Sequence, residues 1–211
     1  MKKQTKRLWF AGGILAAFGA WTAAVRFTDV APIGPEGSTV GFGLINGYFH
    51  NLTGVHMALY QLTDWLGIVP LCFVAGFALL GLIQWIRRKK LSKVDRSLLV
   101  LGGFYIVVMG AYGLFEVVAV NYRPVLIDGV LEASYPSSTT MLVMCVIPTA
   151  IMQLRDRIHK PVLMWCVICA MAIFAAFMVV GRLVSGVHWL TDIVGSLLLS
   201  WGLVQLYRAI V

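Results

Sequence analysis

An all-α bundle that crosses a membrane about six times is the fold class this chain predicts, and three observations predict it. Of its 211 residues 60% are hydrophobic and 12% charged, and the mean hydropathy of +0.86 lies far above that of a water-soluble domain. The apolar residues fall in successive runs, each long enough to cross a hydrocarbon layer as a helix of about 20 residues. The remaining charges gather in short basic clusters between those runs. A formal net charge of +8 alone would fit nucleic acid. Its confinement to the ends of apolar runs instead points to lipid as the partner and to membrane topology as the cause, with no nucleic acid.

The first run, Leu8 to about Val25, follows the basic head MKKQTKR. Small residues at Ala23 and Ala24 resemble a cleavage site, but the later spans favour a retained anchor. Arg26 to about His56 is punctuated by Gly and Pro and carries Phe42, Tyr48 and Phe49. It reads as an outer loop with an interfacial piece. The second span covers Met57 to Ile86, interrupted by Asp64 and Pro70, with its embedded part starting near Trp65. It stops at Arg87-Arg88-Lys89-Lys90. The third runs from Ser97 to Val120 and carries Glu116 near its end, and the fourth opens at Pro136 and reaches Leu154, with a kink expected at Pro148. The fifth occupies Val162 to Val180 and the sixth Trp189 to Tyr207. Glycines in these spans, including Gly102, Gly103 and Gly195, are expected to mark close helix packing rather than a pore. The expected organisation is therefore a head and first span over 1–26, an outer interfacial loop over 27–56, and a five-span core over 57–211.

Charge sets the expected orientation. Lys2, Lys3, Lys6, Arg7, the cluster from Arg87 to Arg96, Arg155, Arg157, Lys160 and Arg208 fall on one side of an alternating six-span chain, and Arg26, Arg123 and Arg182 on the other. The excess of Lys and Arg predicts cytoplasmic termini, so the loops bearing Arg123, Ser137 and His188 emerge together on the outer face. His50 and His56 read as interfacial and His159 as a solvated loop residue. Cys72, Cys145, Cys166 and Cys169 all lie in apolar stretches, which predicts packing rather than disulfides or redox chemistry.

Three polar motifs then meet at one membrane surface. Pro136-Ser137-Ser138-Thr139 opens a helix, and a helix N-terminus presents unpaired N–H groups to an anion, here with hydroxyls beside them. Arg123 and Arg182 bring guanidinium forks that match phosphate oxygens. His188 and Asp192 stand four residues apart, so on a helix the carboxylate shares the face of the imidazole and holds its tautomer. Ionisable groups at the edge of hydrocarbon are costly, which makes function the default reading. Together they suit phosphoryl transfer through a phosphohistidine. No cluster with metal-ligand spacing accompanies them, so neither metal nor cofactor is expected.

These residues resemble the type 2 phosphatidic acid phosphatase family, integral membrane lipid phosphate phosphatases. Its motifs run Lys-x6-Arg-Pro, Pro-Ser-Gly-His and Ser-Arg-x5-His-x3-Asp. They correspond to Glu116 with Arg123-Pro124, to Pro136-Ser137-Ser138-Thr139, and to Gly181-Arg182 with His188 and Asp192. The resemblance implies that His188 is the nucleophile, Asp192 its partner, and Arg123, Arg182, Ser137 and Ser138 the phosphate ligands. It implies a lipid phosphate substrate, while the outward placement of the pocket and the short compact chain suggest a plasma-membrane enzyme.

Two positions depart from the family. Glu116 replaces the lysine, reversing a charge, and Thr139 replaces the histidine that protonates the leaving alkoxide, a step worth about 10² to 10⁴ in rate. Glu116 and Arg123 are expected to pair if the helix persists between them. Another group can supply the proton, with Glu116, Tyr122, His50 and His56 as candidates. Alternatively the substrate is a lipid pyrophosphate, such as an isoprenyl pyrophosphate, whose phosphate leaving group needs that proton less. A silent lipid-phosphate binder is the alternative reading, and a small transporter is a second.

Overall fold

The computed structural model describes residues 2–211, and it is almost wholly helical, with no extended strands among the described residues. Met1 and the side chains of Lys2 and Lys3 in the basic head lie outside the described residues. Eight helices follow in order: α1 (Lys2–Phe27), α2 (Gly43–Thr53), α3 (Met57–Leu66), α4 (Ile68–Arg88), α5 (Arg96–Val117), α6 (Ser138–Arg155), α7 (Pro161–Val184) and α8 (Leu190–Ile210). Among the described residues six helical spans are long and apolar enough to cross a membrane, α3 and α4 together forming one of them.

The second span divides at Gly67, a little beyond the expected start near Trp65, and Asp64 consequently sits in the last turn of α3. α5 ends at Val117, short of the expected Val120, so the turns that would join Glu116 to Arg123 are missing. α7 runs one turn past the expected Val180 and places Arg182 inside the helix. Its start is favoured by Pro161 in the first turn, where a missing N–H costs nothing.

The bundle centres on α6 and α8, whose apolar windows are 50% and 56% buried, against 17% for α1, 11% for the α3–α4 span and 17% for α7. The outer helices therefore turn most of their apolar surface to lipid. Leu101, Phe104, Val108, Met141, Val146, Leu203 and Tyr207 fill the core between α5, α6 and α8. α1 lies along α8, with Phe10 edge-on to Trp201 at 5.8 Å and Gly202 admitting Leu15. All four cysteines are unpaired, with Cys145 buried and the others on the apolar exterior.

Gly195 marks close packing as expected: a Cβ there would lie 2.5 Å from the Tyr135 ring. Gly102 and Gly103 do not, since a Cβ at either meets nothing within 4 Å. They face open space on α5, and that part of the glycine expectation is corrected.

Both ends of the chain lie at one end of the bundle. Gln4 Nε2 donates to the Ala209 carbonyl at 3.0 Å, and Arg96 Nη2 reaches the Ile210 carbonyl at 3.4 Å. The 118–137 loop, the α6 N-terminus and the α7–α8 turn are gathered at the opposite end. There α2 is stitched down by Asn46, fully buried, whose side-chain N–H groups reach the Gly41 carbonyl (2.7 Å) and Thr191 Oγ1 (2.9 Å). Its outer stripe of Leu44, Tyr48 and Leu52 is exposed, as an interfacial helix requires.

Candidate active site

The 118–137 loop is pinched by bridge pairing of Tyr122 with Ala133. Arg123 N–H donates to the Glu132 carbonyl (3.0 Å) and Ser134 N–H to the Asn121 carbonyl (2.9 Å). That pairing turns the Arg123 side chain and the Ser134 carbonyl toward the α7–α8 turn. Ser196 Oγ bonds both the Ser137 carbonyl (2.9 Å) and the Asp192 carbonyl (2.8 Å), joining the first turns of α6 and α8.

His188 is 4% exposed and precedes α8 rather than sharing a helical face with Asp192. Its Nδ1 lies 3.1 Å from the Ser134 carbonyl and 3.7 Å from Asp192 Oδ2. A carbonyl only accepts, so Nδ1 carries the proton and Nε2 keeps its lone pair. The tautomer is thus held first by a backbone oxygen, with the carboxylate behind it. Asp192 instead takes the Trp189 N–H at 2.9 Å as it starts α8, and Asn121 Nδ2 approaches its other oxygen at 3.5 Å. Arg182 Nη2 stands 3.3 Å from His188 Nε2. Burial, with Arg123 and Arg182 beside it, holds the His188 imidazole well below the usual histidine range. The ring is therefore neutral at neutral pH.

Arg123 and Arg182 are 8% and 1% exposed and share the ring of Tyr60, their guanidinium carbons 5.8 and 4.8 Å from its centroid. Each has a carboxylate nearby: Glu132 Oε2 is 3.0 Å from Arg123 Nε, and Asp64 Oδ1 is 3.5 Å from Arg182 Nη1. Neither pair has hydrogen-bond alignment, and Nε and Nη1 of both arginines are buried without a hydrogen-bond partner. Ser137 Oγ and Thr140 Oγ1 at the head of α6 are buried and unpartnered as well. Such groups are costly to leave unfilled unless a ligand completes them.

Glu116 does not pair with Arg123 as expected, because α5 ends before the chain turns back and Glu132 takes that place. Glu116, Arg123, Ser138, Thr139 and Arg182 all line one polar cleft of about 570 Å³, together with Tyr122. Thr139 also lines an apolar groove of about 500 Å³ between α3–α4, α5 and α6, which meets the cleft at Asp64, Tyr112, Ser138 and Thr139. A narrower space with room for about one water connects Glu116, Arg123 and Ser138 to His188. His56 is tied to the Thr53 carbonyl at 2.9 Å and His50 lies against Trp189, ring centroids 5.4 Å apart. Neither lines the cleft. Burial lowers the His50 imidazole below its ordinary value.

Sequence reasoning missed Tyr60, Asn121, Glu132 and Ser134, and treated Asp64 only as an interruption of a span. A carboxylate inside an apolar run was the available signal for Asp64. Ser134 acts through its carbonyl, which carries no side-chain signature.

A sequence model of the PAP2 superfamily matches residues 116–211, from Glu116 through all three motifs to the end of the chain. Among solved structures the fold is similar to that of a transmembrane PAP2-type phosphatidylglycerolphosphate phosphatase from Bacillus subtilis, at a TM-score of 0.58 and 18% identity over 94% of each chain. No curated protein matches the sequence. Residues 116–211 thus match the PAP2 superfamily model across the motif region, and the six apolar helical spans of this integral membrane protein adopt a fold similar to that of a transmembrane PAP2-type phosphatase along nearly the whole chain.

Proposed function

We propose that the chain hydrolyses a membrane lipid phosphate or pyrophosphate, with His188 as nucleophile. One observation carries this reading: buried guanidinium N–H groups of Arg123 and Arg182 without acceptors stand in the same site as a neutral His188 whose unprotonated Nε2 faces Arg182 Nη2 at 3.3 Å. A phosphate seated on the two forks draws Arg182 off Nε2 and presents phosphorus to it. Nε2–P bond formation with loss of the ester oxygen gives a phosphohistidine, which water then cleaves to inorganic phosphate. The Nδ1 proton stays with Ser134 and Asp192, which stabilise the charge on the ring. Ser137, Ser138 and the α6 N-terminus add donors for the phosphate oxygens. The apolar groove that meets the cleft takes the lipid chain.

Thr139 stands on the cleft wall where the family's proton donor belongs. A hydroxyl cannot give up its proton usefully near neutral pH. That favours leaving groups needing no protein acid, isoprenyl pyrophosphates among them. The excess of Lys and Arg on the side of the chain ends supports a reading in which those ends are cytoplasmic and the cleft opens on the outer face of the plasma membrane.

The test is phosphate release by the purified chain in detergent from phosphatidic acid, phosphatidylglycerol phosphate and an isoprenyl pyrophosphate, beside His188→Ala and His188→Gln. Release that both variants abolish is expected. No release from any substrate, with lipid phosphate still bound, would make the protein a silent binder; phosphate flux across vesicles would make it a transporter.

A further inference from the structure

A separate cavity of about 460 Å³ lies where α6 hands over to α7, at the end of the bundle opposite the cleft. Arg155, the last residue of α6, and His159 in the connecting loop line one part of it. Pro161, Met164, Trp165 and Ile168 line the rest. Those four stand at i, i+3, i+4 and i+7, so they form one stripe of α7 that rises about 10 Å along the helix. The cavity is thus basic at its loop end and apolar along a membrane span. No carboxylate lines it among the described residues. Trp165 is 65% exposed, and an aromatic ring about one turn inside a span is the side chain expected at the level of lipid headgroups. Two other basic side chains at this end are already engaged: Arg88 pairs with Asp95 at 2.9 Å, and Arg157 donates to Gln153 Oε1 at 2.8 Å. The side chains of Arg155 and His159 have no hydrogen-bond or ion-pair partner among the described residues.

We infer that this cavity binds an anionic phospholipid of the leaflet on the side of the chain ends. The lipid phosphate sits between the Arg155 guanidinium and His159, whose ring offers an N–H in either protonation state. The upper part of an acyl chain lies along Met164, Trp165 and Ile168. The occupant follows from charge and depth together. A soluble anion would use the basic end and leave the apolar stripe uncovered, and an uncharged lipid would cover the stripe and leave the donors unpaired. A zwitterionic headgroup brings its own ammonium beside the guanidinium, so a phospholipid with net negative charge is the better match. Arg87, Lys89, Lys90 and Lys160 at the same end attract such lipids diffusely, and the cavity gives one of them a fixed seat. The bound lipid touches both the last turn of α6 and the first two turns of α7, and so clamps their connection. It lies at the far end of α7 from Arg182, away from the proposed chemistry at His188.

The experiment places the full chain in phosphatidylcholine vesicles and adds phosphatidylglycerol brominated on its acyl chains, with brominated phosphatidylcholine as the reference. Quenching of Trp165 is read as the difference between each protein and its Trp165→Phe version. Phosphatidylglycerol should bind beside Trp165 about tenfold more tightly than phosphatidylcholine, the worth of one charge-assisted contact. Arg155→Gln combined with His159→Gln should abolish the preference, and Arg155→Lys, which keeps the charge, should retain most of it. Arg87→Gln, at the same end but outside the cavity, should leave it unchanged. Equal quenching by the two lipids in the wild type overturns the proposal, as does a preference that survives the double substitution. A preference that falls as much in Arg87→Gln as in the double variant reduces the effect to diffuse surface attraction and overturns it too. Inorganic phosphate that removes the preference at constant ionic strength would make the cavity a site for the free anion and refute the lipid assignment. Phosphate release plays no part in the measurement, so each result bears on this cavity alone.

Discussion

Gly195→Ala tests how the bundle's packing reaches the nucleophile. The new Cβ would lie 2.5 Å from Tyr135 Cε2 and 2.7 Å from both Cζ and the hydroxyl oxygen, where ordinary contact begins at 3.4 Å. The ring must therefore retreat by about 0.9 Å. It has nowhere to go: Tyr135 is 1% exposed, stacks on Phe18 at 6.4 Å and meets Phe115 edge-on at 5.9 Å. Its hydroxyl is held 2.7 Å from Thr22 Oγ1. Overpacking of this kind costs about 1–3 kcal/mol, and losing the Thr22 bond about 1 more. Tyr135 follows Ser134, whose carbonyl fixes His188 Nδ1, so the shift is passed to the imidazole. A misplacement near 1 Å costs about 10² in rate. Thermal unfolding in detergent and phosphate release, measured together, should show a lower midpoint and a kcat down by about that factor. Gly102→Ala is the control, since its Cβ meets nothing within 4 Å. If Gly195→Ala matches the wild type in both assays, the close contact and its link to His188 are wrong.

Three further outcomes follow from the same geometry. Thr139→His should raise phosphate release from a plain alkyl phosphate by up to about 10² and change release from an isoprenyl pyrophosphate far less; no gain on the alkyl phosphate means that the missing acid does not limit turnover. His188 is held below 6.5 by burial, Arg123 and Arg182, so as pH falls through 6.5 the unfolded chain takes a proton that the folded one refuses, and stability declines from there downward. The drop in unfolding midpoint between pH 7.5 and 5.5 should therefore be smaller in His188→Gln, and identical drops would contradict the assigned environment. Gly186→Ala combines a φ of +70° with a Cβ only 1.9 Å from the Gly54 carbonyl oxygen, and it should lower the unfolding midpoint more than Gly195→Ala; a fully stable variant would refute the turn geometry.

The spans were legible because hydrocarbon imposes a length and a composition that leave little choice, and the breaks at basic clusters and prolines could be read directly. The motif residues were legible for a related reason: Arg123, Arg182, His188 and Asp192 are polar groups at the edge of apolar runs, where chance seldom leaves them. Helix ends were less so. Whether α5 continued to Arg123 or stopped at Val117 depended on the pinching of the 118–137 loop, a long-range matter that periodicity does not record. The glycine reading split in the same way, because Gly195 faces Tyr135 and Gly102 faces open space although both sit in similar apolar runs.

By itself the sequence determined a six-span helical bundle, its basic loops and the cast of the proposed phosphate site. Only the tertiary structure decided who partners whom. It gave His188 Nδ1 to the Ser134 carbonyl, placed Asp64 and Glu132 loosely against the arginines, and set Glu116 and Thr139 on the wall of a cleft joined to an apolar groove. The physical reason is that membrane insertion is decided by composition along the chain. A charge's partner is decided by which distant segments packing brings within a few ångströms, and in this cleft that second step sets the excess of carboxylates over guanidiniums.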